Sequence, residues 1–133
     1  MSQENVEIVR SVYEAFRRGA WDEGARLVDP DVELYGTVGG LSEGSVARGV
    51  QEGRQAFEQW DEDWDESRLE PKAFIDAGDR VVVLQHEVRR GRGSGVEVES
   101  DTAVVFELRD GRVVRVQGYM DHAEALEAVG LRE

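Results

Sequence analysis

"VVVLQHEVRRGRGSGVEVESDTAVVFELRDGRVVRVQGYMD", residues 81–121, decides the fold. Apolar and charged residues alternate there with a period of two, and "GRGSG" and "DG" break the alternation with recognisable turn chemistry. A further run precedes it across "DAGD". The expected strands are 68–76, 80–90, 96–108 and 112–121, an antiparallel meander. In 96–108 the even positions Val96, Val98, Val104, Phe106 and Leu108 are apolar, whereas Glu97, Glu99, Asp101 and Glu107 are charged. The even face is therefore the buried one.

Turn lengths then set a register. With "GRGSG" as a five-residue loop, Arg90 faces Val96, Val88 faces Val98 and His86 faces Ser100. This keeps Val82, Leu84 and Val88 with the apolar set, whereas a slip by one residue would turn Gln85, Glu87 and Arg89 inward instead. With Asp110-Gly111 as a two-residue turn, Leu108 faces Val113 and Ser100 faces Asp121. The inward face of the last strand becomes Val113, Arg115, Gln117, Tyr119 and Asp121. His86, Ser100 and Asp121 form one row across three strands, with Thr102 and Tyr119 in the next. At about 4.8 Å per strand, the backbones of His86 and Asp121 stand about 10 Å apart, room for a small molecule or a water. The opposite face, Val114, Val116, Gly118 and Met120, is also apolar, which predicts a homodimer through the outer sheet face.

Upstream the period is that of a helix. Val6, Val9, Val12, Tyr13 and Phe16 make one apolar face over 3–18, with Ser2 as N-cap and Gly19 as stop. "WDEGARLVDP" places Trp21, Ala25 and Val28 on a second helix ended by Pro30, "DVELYGTV" at 31–38 is a short strand, and "GGLSEG" is a loop. "VQEGRQAFEQWDEDW" is a third helix with Val50, Arg54, Phe57, Trp60 and Trp64 on one face. Helices, then a meander, then a last short helix give one α+β domain over 1–133.

Composition narrows the function. The 133 residues contain no cysteine, which excludes disulfide scaffolds, thiolate metal sites and cysteine nucleophiles. The net charge of −13 argues against a nucleic-acid partner, and the one basic run, "RRGRG" at 89–93, reads as a hairpin tip. No leader and no span of apolar residues opens or crosses the chain, so a soluble cytoplasmic protein with no membrane partner is expected. One lysine against fifteen arginines points to a GC-rich bacterial genome.

Two readings of Asp121 stay open. With Glu124 it forms a capping box for the last helix, and at the end of a strand it can also be an acid or base in a pocket. His86 is either a satisfied, partly buried histidine or a catalyst, and His122 falls in the first helical turn at the surface. Two histidines without an acid at ligand spacing make no metal site. Tyr13, Phe16, Trp21, Trp60, Trp64, Phe106 and Tyr119 are expected in the core and pocket wall, with Ser100, Thr102 and Gln117 as polar lining.

The stretches "GAWDEGARLVDPDVEL", "FIDAGDRVVVL", "GRGSGVEVE" and "LRDGRVVRVQGYMDHAEALEAVGL" carry a resemblance that spans nearly the whole chain. The sequence resembles the SnoaL-like branch of the nuclear transport factor 2 superfamily, which includes polyketide cyclases and ketosteroid isomerases. That resemblance implies an NTF2-like cone, with N-terminal helices on the concave face of a curved antiparallel sheet around an apolar pocket. In the cyclases and limonene-type epoxide hydrolases an aspartate ending the last strand is the acid or base, and "GYMD" puts Asp121 at the matching place. The epoxide hydrolases also need an arginine and a second aspartate, which the stretch around "LQHEV" lacks. The cyclases carry a histidine on a neighbouring strand, for which His86 could stand. The implied activity is cofactor-free cyclisation, isomerisation or dehydration of a small apolar carbonyl compound, with Asp121 as base and Tyr119 or His86 stabilising the enolate oxygen. The alternative is a non-catalytic small-molecule-binding or dimerising module.

Overall fold

The computed structural model describes residues 2–40, 42–62 and 64–131; the side chains of Ser2 and Trp60, an expected cap and an expected wall residue, lie outside the described residues. The elements are α1 (Ser2–Arg17), α2 (Trp21–Ala25), β1 (Val28–Val38), β2 (Val46–Arg48), α3 (Gly49–Asp61), β3 (Trp64–Ala77), β4 (Arg80–Gly91), β5 (Glu97–Arg109), β6 (Arg112–Tyr119) and α4 (His122–Ala128). The six strands form one curved sheet in the order β2-β1-β6-β5-β4-β3. All neighbours are antiparallel except β1 and β6, which run parallel. The second helix is shorter than its apolar spacing suggests. Val28 and Pro30 belong to β1, which pairs with β2 on one side and β6 on the other.

The amphipathic pattern of α1 does what it predicts: Val6, Val9 and Val12 are buried against Val81, Val83, Phe106, Leu108 and Val113. A second cluster lies on the opposite face of the sheet. There Ala125 and Leu126 of α4 pack on Val82, Ala103 and Val105, joined by Leu84 and Tyr119. Val81, Val82 and Val83 are consequently all at 0 % exposure, because one helix covers the odd residues and another the even one.

Two registers differ from the expectation, and both differences have a physical cause. Between β4 and β5 the loop proper is Arg92–Gly95, closed by the Gly91 amide on the Val96 carbonyl and the Gly95 amide on the Gly91 carbonyl. A loop one residue shorter than "GRGSG" moves every partner by one: Arg90 faces Glu97, His86 faces Asp101 and Glu87 faces Ser100. The slip that turns Gln85, Glu87 and Arg89 toward α1 is the one the chain adopts, and His86 goes to the outer face. Between β5 and β6 the Asp110-Gly111 turn forms as expected, with φ of 53° and 80° and Leu108 opposite Val113. A bulge then follows between Glu107 and Leu108, after which Arg115 faces Glu107 and Tyr119 faces Ala103. One extra residue inverts the remainder of β6.

The apolar outer face expected for the last strand is therefore not there. Val116 packs in the α1 cluster, and Arg115, Gln117 and Tyr119 take the outer side. What looks like a strand apolar on two faces is a one-faced strand whose parity changes at a bulge. A homodimer through the outer face of this strand therefore has no basis in its apolar pattern.

Candidate functional site

The α1-facing side of β4 and β5 carries a connected set of polar side chains. Tyr13, on α1, donates its hydroxyl to Gln85 Oε1 at 2.7 Å, and Gln85 Nε2 donates to Thr102 Oγ1 at 3.1 Å. The Thr102 hydroxyl in turn donates to Glu87 Oε2, while Arg89 Nη2 donates to Glu87 Oε1 at 2.7 Å. All these donors lead to one carboxylate. Gln85 and Thr102 are 5 % and 3 % exposed, and the Glu87 side chain 15 %. Among the described residues no buried side-chain polar atom lacks a partner.

The arrangement follows from the register. Gln85, Glu87 and Arg89 alternate along one face of β4, and Thr102 and Ser100 sit opposite Gln85 and Glu87 on β5. Tyr13 is fixed by edge-on contacts with Phe74 and Phe106, at 5.6 and 5.7 Å between ring centroids. Burial, and then the negative charge of Glu87, push the Tyr13 phenol well above its ordinary range, so it stays a neutral donor. At the far end, the Arg89 guanidinium lies 5.8 Å from the centre of the Trp64 ring. Arg89 pairs in register with Val98, which with Trp64, Gly91, Arg92, Ser94 and Val96 lines an open depression of about 510 Å³. The polar chain thus runs from the core beneath α1 toward a solvent-facing hollow with an aromatic wall.

The expected site residues divide between two faces. Tyr13 and Thr102 belong to the polar chain, Ser100 faces the same way, and Phe106 is a core residue beneath Tyr13. Phe16 and Trp21 form an aromatic cluster with Phe57, at 4.7 and 4.9 Å from Phe16. His86, Gln117, Tyr119 and Asp121 are not brought to this face. His86 lies between two acids, Nδ1 at 2.7 Å from Asp101 and Nε2 at 3.0 Å from Glu99. Those carboxylates raise its pKa above the usual histidine range, by hydrogen bonding first and charge second. Gln117 donates to the Gly36 carbonyl at 2.7 Å, and Tyr119 packs beside α4. Asp121 is exposed, and its Oδ1 caps α4 by accepting the Ala123 amide at 2.8 Å. The row of His86, Ser100 and Asp121 does not form, because the shifted β4–β5 register and the β6 bulge separate its members.

His122 is not idle either. Its Nε2 donates to the Thr102 carbonyl at 2.9 Å, and Arg80 Nη1 donates to the Ala128 carbonyl at 3.0 Å, so α4 is pinned at both ends. Gln85, Glu87 and Arg89 are the site residues that the apolar pattern hides. The signal for them is the length of the "GRGSG" loop, which a sequence gives only to within a residue. No described helix is long and apolar enough to cross a membrane.

Comparison with known proteins identifies the fold. The model of a SnoaL-like domain matches residues 9–116. No curated protein matches the chain. Among solved structures, an NTF2-like protein of unknown function from Burkholderia pseudomallei is 27% identical, covering 96% of this chain and 98% of that one with a TM-score of 0.77. TerC, co-crystallized with polyporic acid, is 25% identical over 95% of this chain and 98% of its own, with a TM-score of 0.76. A candidate SnoaL-like polyketide cyclase from Jannaschia sp. shares the fold at 18% identity, covering 98% and 94% of the two chains with a TM-score of 0.78.

Proposed function

The chain belongs to the SnoaL-like domain family, and from that membership we propose that it performs cofactor-free acid–base chemistry on a small, mostly apolar carbonyl compound. In this reading Glu87, and not Asp121, is the base. The observation that supports it is the convergence of Tyr13, Gln85, Thr102 and Arg89 on one carboxylate that is mostly buried on the helix-covered face. Burying such a set is costly compared with apolar packing, so its presence asks for a use. A substrate entering past Trp64 meets an acceptor for its α-proton in Glu87. The Arg89 guanidinium is the charge that can stabilise the enolate oxygen, and cyclisation, isomerisation or dehydration can follow. The polyporic acid bound to TerC fits the idea of a small-molecule site in this fold.

The test is α-proton exchange in D2O, followed by NMR, on a panel of small cyclic ketones and β-diketones. Glu87→Gln should lose about 100-fold or more of any exchange activity found, the usual scale for a general base, while Asp121→Asn keeps it. Equal exchange in Glu87→Gln, or its loss only in Asp121→Asn, removes Glu87 from the role.

A second reading rests on the same carboxylate. Both Glu87 oxygens already have donors, the pattern of a structural ion pair in a binding wall. The domain then holds its ligand without turnover. A panel compound that raises the melting temperature of the wild type, and is recovered without exchange, supports this over catalysis.

A further inference from the structure

The sheet terminates on one side in the three-residue β2 and on the other in the fourteen-residue β3, whose outer edge has no neighbouring strand among the described residues. Residues 66–72 of β3 read Glu-Ser-Arg-Leu-Glu-Pro-Lys. Ser67, Arg68, Leu69 and Glu70 are exposed in succession, and Leu69 is 46 % exposed, so no helix shields this stretch. A long bare edge is a template for another strand, and folded proteins either block it or use it.

Pro71 sets the hydrogen-bonding parity. It has no N–H to give to β4, so its nitrogen lies on the open side. Leu69 and Ser67, two and four residues away, then present their own N–H and C=O groups to that edge. The charges are equally ordered. Glu66, Arg68, Glu70 and Lys72 alternate in sign, with Arg68 Nε 3.2 Å from Glu66 and Lys72 paired to Glu70. The stretch is neutral, and it holds the only lysine of a chain whose net charge is −13. Two such acidic chains repel over most of their surface, and this edge is a place where they need not.

The order is also self-complementary. In an antiparallel pair of identical strands centred on Leu69, Arg68 of one copy faces Glu70 of the other, and Glu66 faces Lys72. Leu69 meets Leu69, and Ser67 donates to the carbonyl of Pro71. Moving the centre one residue back sets Glu66 against Glu70 and Arg68 against itself. Moving it one residue forward sets Arg68 against Lys72 and Glu70 against itself. Like charges directly opposite are unfavourable, so these two neighbouring registers are disfavoured, whereas the one centred on Leu69 makes both opposite-charge pairs, Arg68 with Glu70 and Glu66 with Lys72, together.

We propose that two copies of this chain join edge to edge along β3, antiparallel about Leu69, making one continuous sheet through both. Sedimentation velocity of the full chain, over a low to high micromolar range, should show a concentration-dependent dimer. Arg68→Glu should weaken it by about tenfold or more, since the two-fold axis places the repulsion twice. Adding Glu70→Arg to that variant should restore it, because the swapped pair faces itself correctly. Arg68 and Glu70 are both exposed, and far-UV circular dichroism should confirm that each variant is folded. As a positional readout, Leu69→Cys should give a disulfide-linked dimer on mild oxidation, the native chain having no cysteine; Glu97→Cys, on the outer face, should not. A chain that stays monomeric over this range overturns the proposal, as does a dimer indifferent to Arg68→Glu. Crosslinking through Glu97→Cys and not Leu69→Cys would assign the interface to the sheet face instead.

Discussion

Thr102 gives its hydroxyl hydrogen to Glu87 across the β4–β5 pair while accepting one from Gln85, so a single threonine makes two neighbouring residues of β4 part of one chain of donors. Each bond in such a series polarises the next, and the series ends on a charge. The Tyr13 phenol is its origin. Removing a link therefore affects more than one bond.

Tyr13→Phe removes the donor to Gln85 Oε1 and keeps the ring that packs on Phe74 and Phe106. An acceptor in a residue only 5 % exposed then has no partner. The expected loss is about 1–2 kcal/mol in urea unfolding, with an unchanged m-value. A neutral result would mean that water or a rotated amide replaces the phenol at no cost.

Asp121 should behave as a helix cap in stability measurements. Its side chain accepts the Ala123 amide, so Asp121→Ala is expected to cost about 1 kcal/mol and Asp121→Asn only a few tenths. Thermal denaturation of the two variants side by side measures the difference. If Asp121→Asn is as damaging as Asp121→Ala, the carboxylate charge matters in a way a cap bond does not explain.

His86 makes stability depend on pH in a stated direction. Asp101 and Glu99 raise its folded pKa above the ordinary histidine value of 6.5, and nearby Glu70 adds negative charge on the same face. A group whose pKa is raised by folding contributes stability that is complete below its unfolded pKa and lost as pH rises through the folded value. The melting temperature of wild type minus that of His86→Gln should thus be level from about pH 6 down to where the two carboxylates begin to protonate, and shrink on the alkaline side. An NMR titration of the ring protons should place the midpoint above 6.5. A midpoint at or below that value contradicts the two-carboxylate geometry.

The architecture was legible in the sequence because several signals agreed on it. The α1 stripe, the Asp110-Gly111 turn and the alternation of β5 each specify the same element that the chain forms. The site was not, for two local reasons. Val81, Val82, Val83 and Leu84 are apolar on both faces because α1 and α4 sandwich them, so polarity cannot decide which parity of β4 points inward. Beyond them the apolar rule prefers Leu84, His86 and Val88, and the protein instead turns Gln85, Glu87 and Arg89 inward, where each finds a partner. In β6 the bulge is invisible in a pattern of valines that fits either parity. Local rules fail here where a polar network replaces packing, the circumstance in which function is to be sought.

Thr102 has a further consequence through its backbone. Its hydroxyl serves Glu87 on one side of the sheet, and its carbonyl anchors His122, at the start of α4, on the other. The terminal helix cannot slide along the strand without tugging the peptide whose side chain steadies the carboxylate. The two surfaces are mechanically joined through one residue, and a load applied to the tail of the protein is felt inside it.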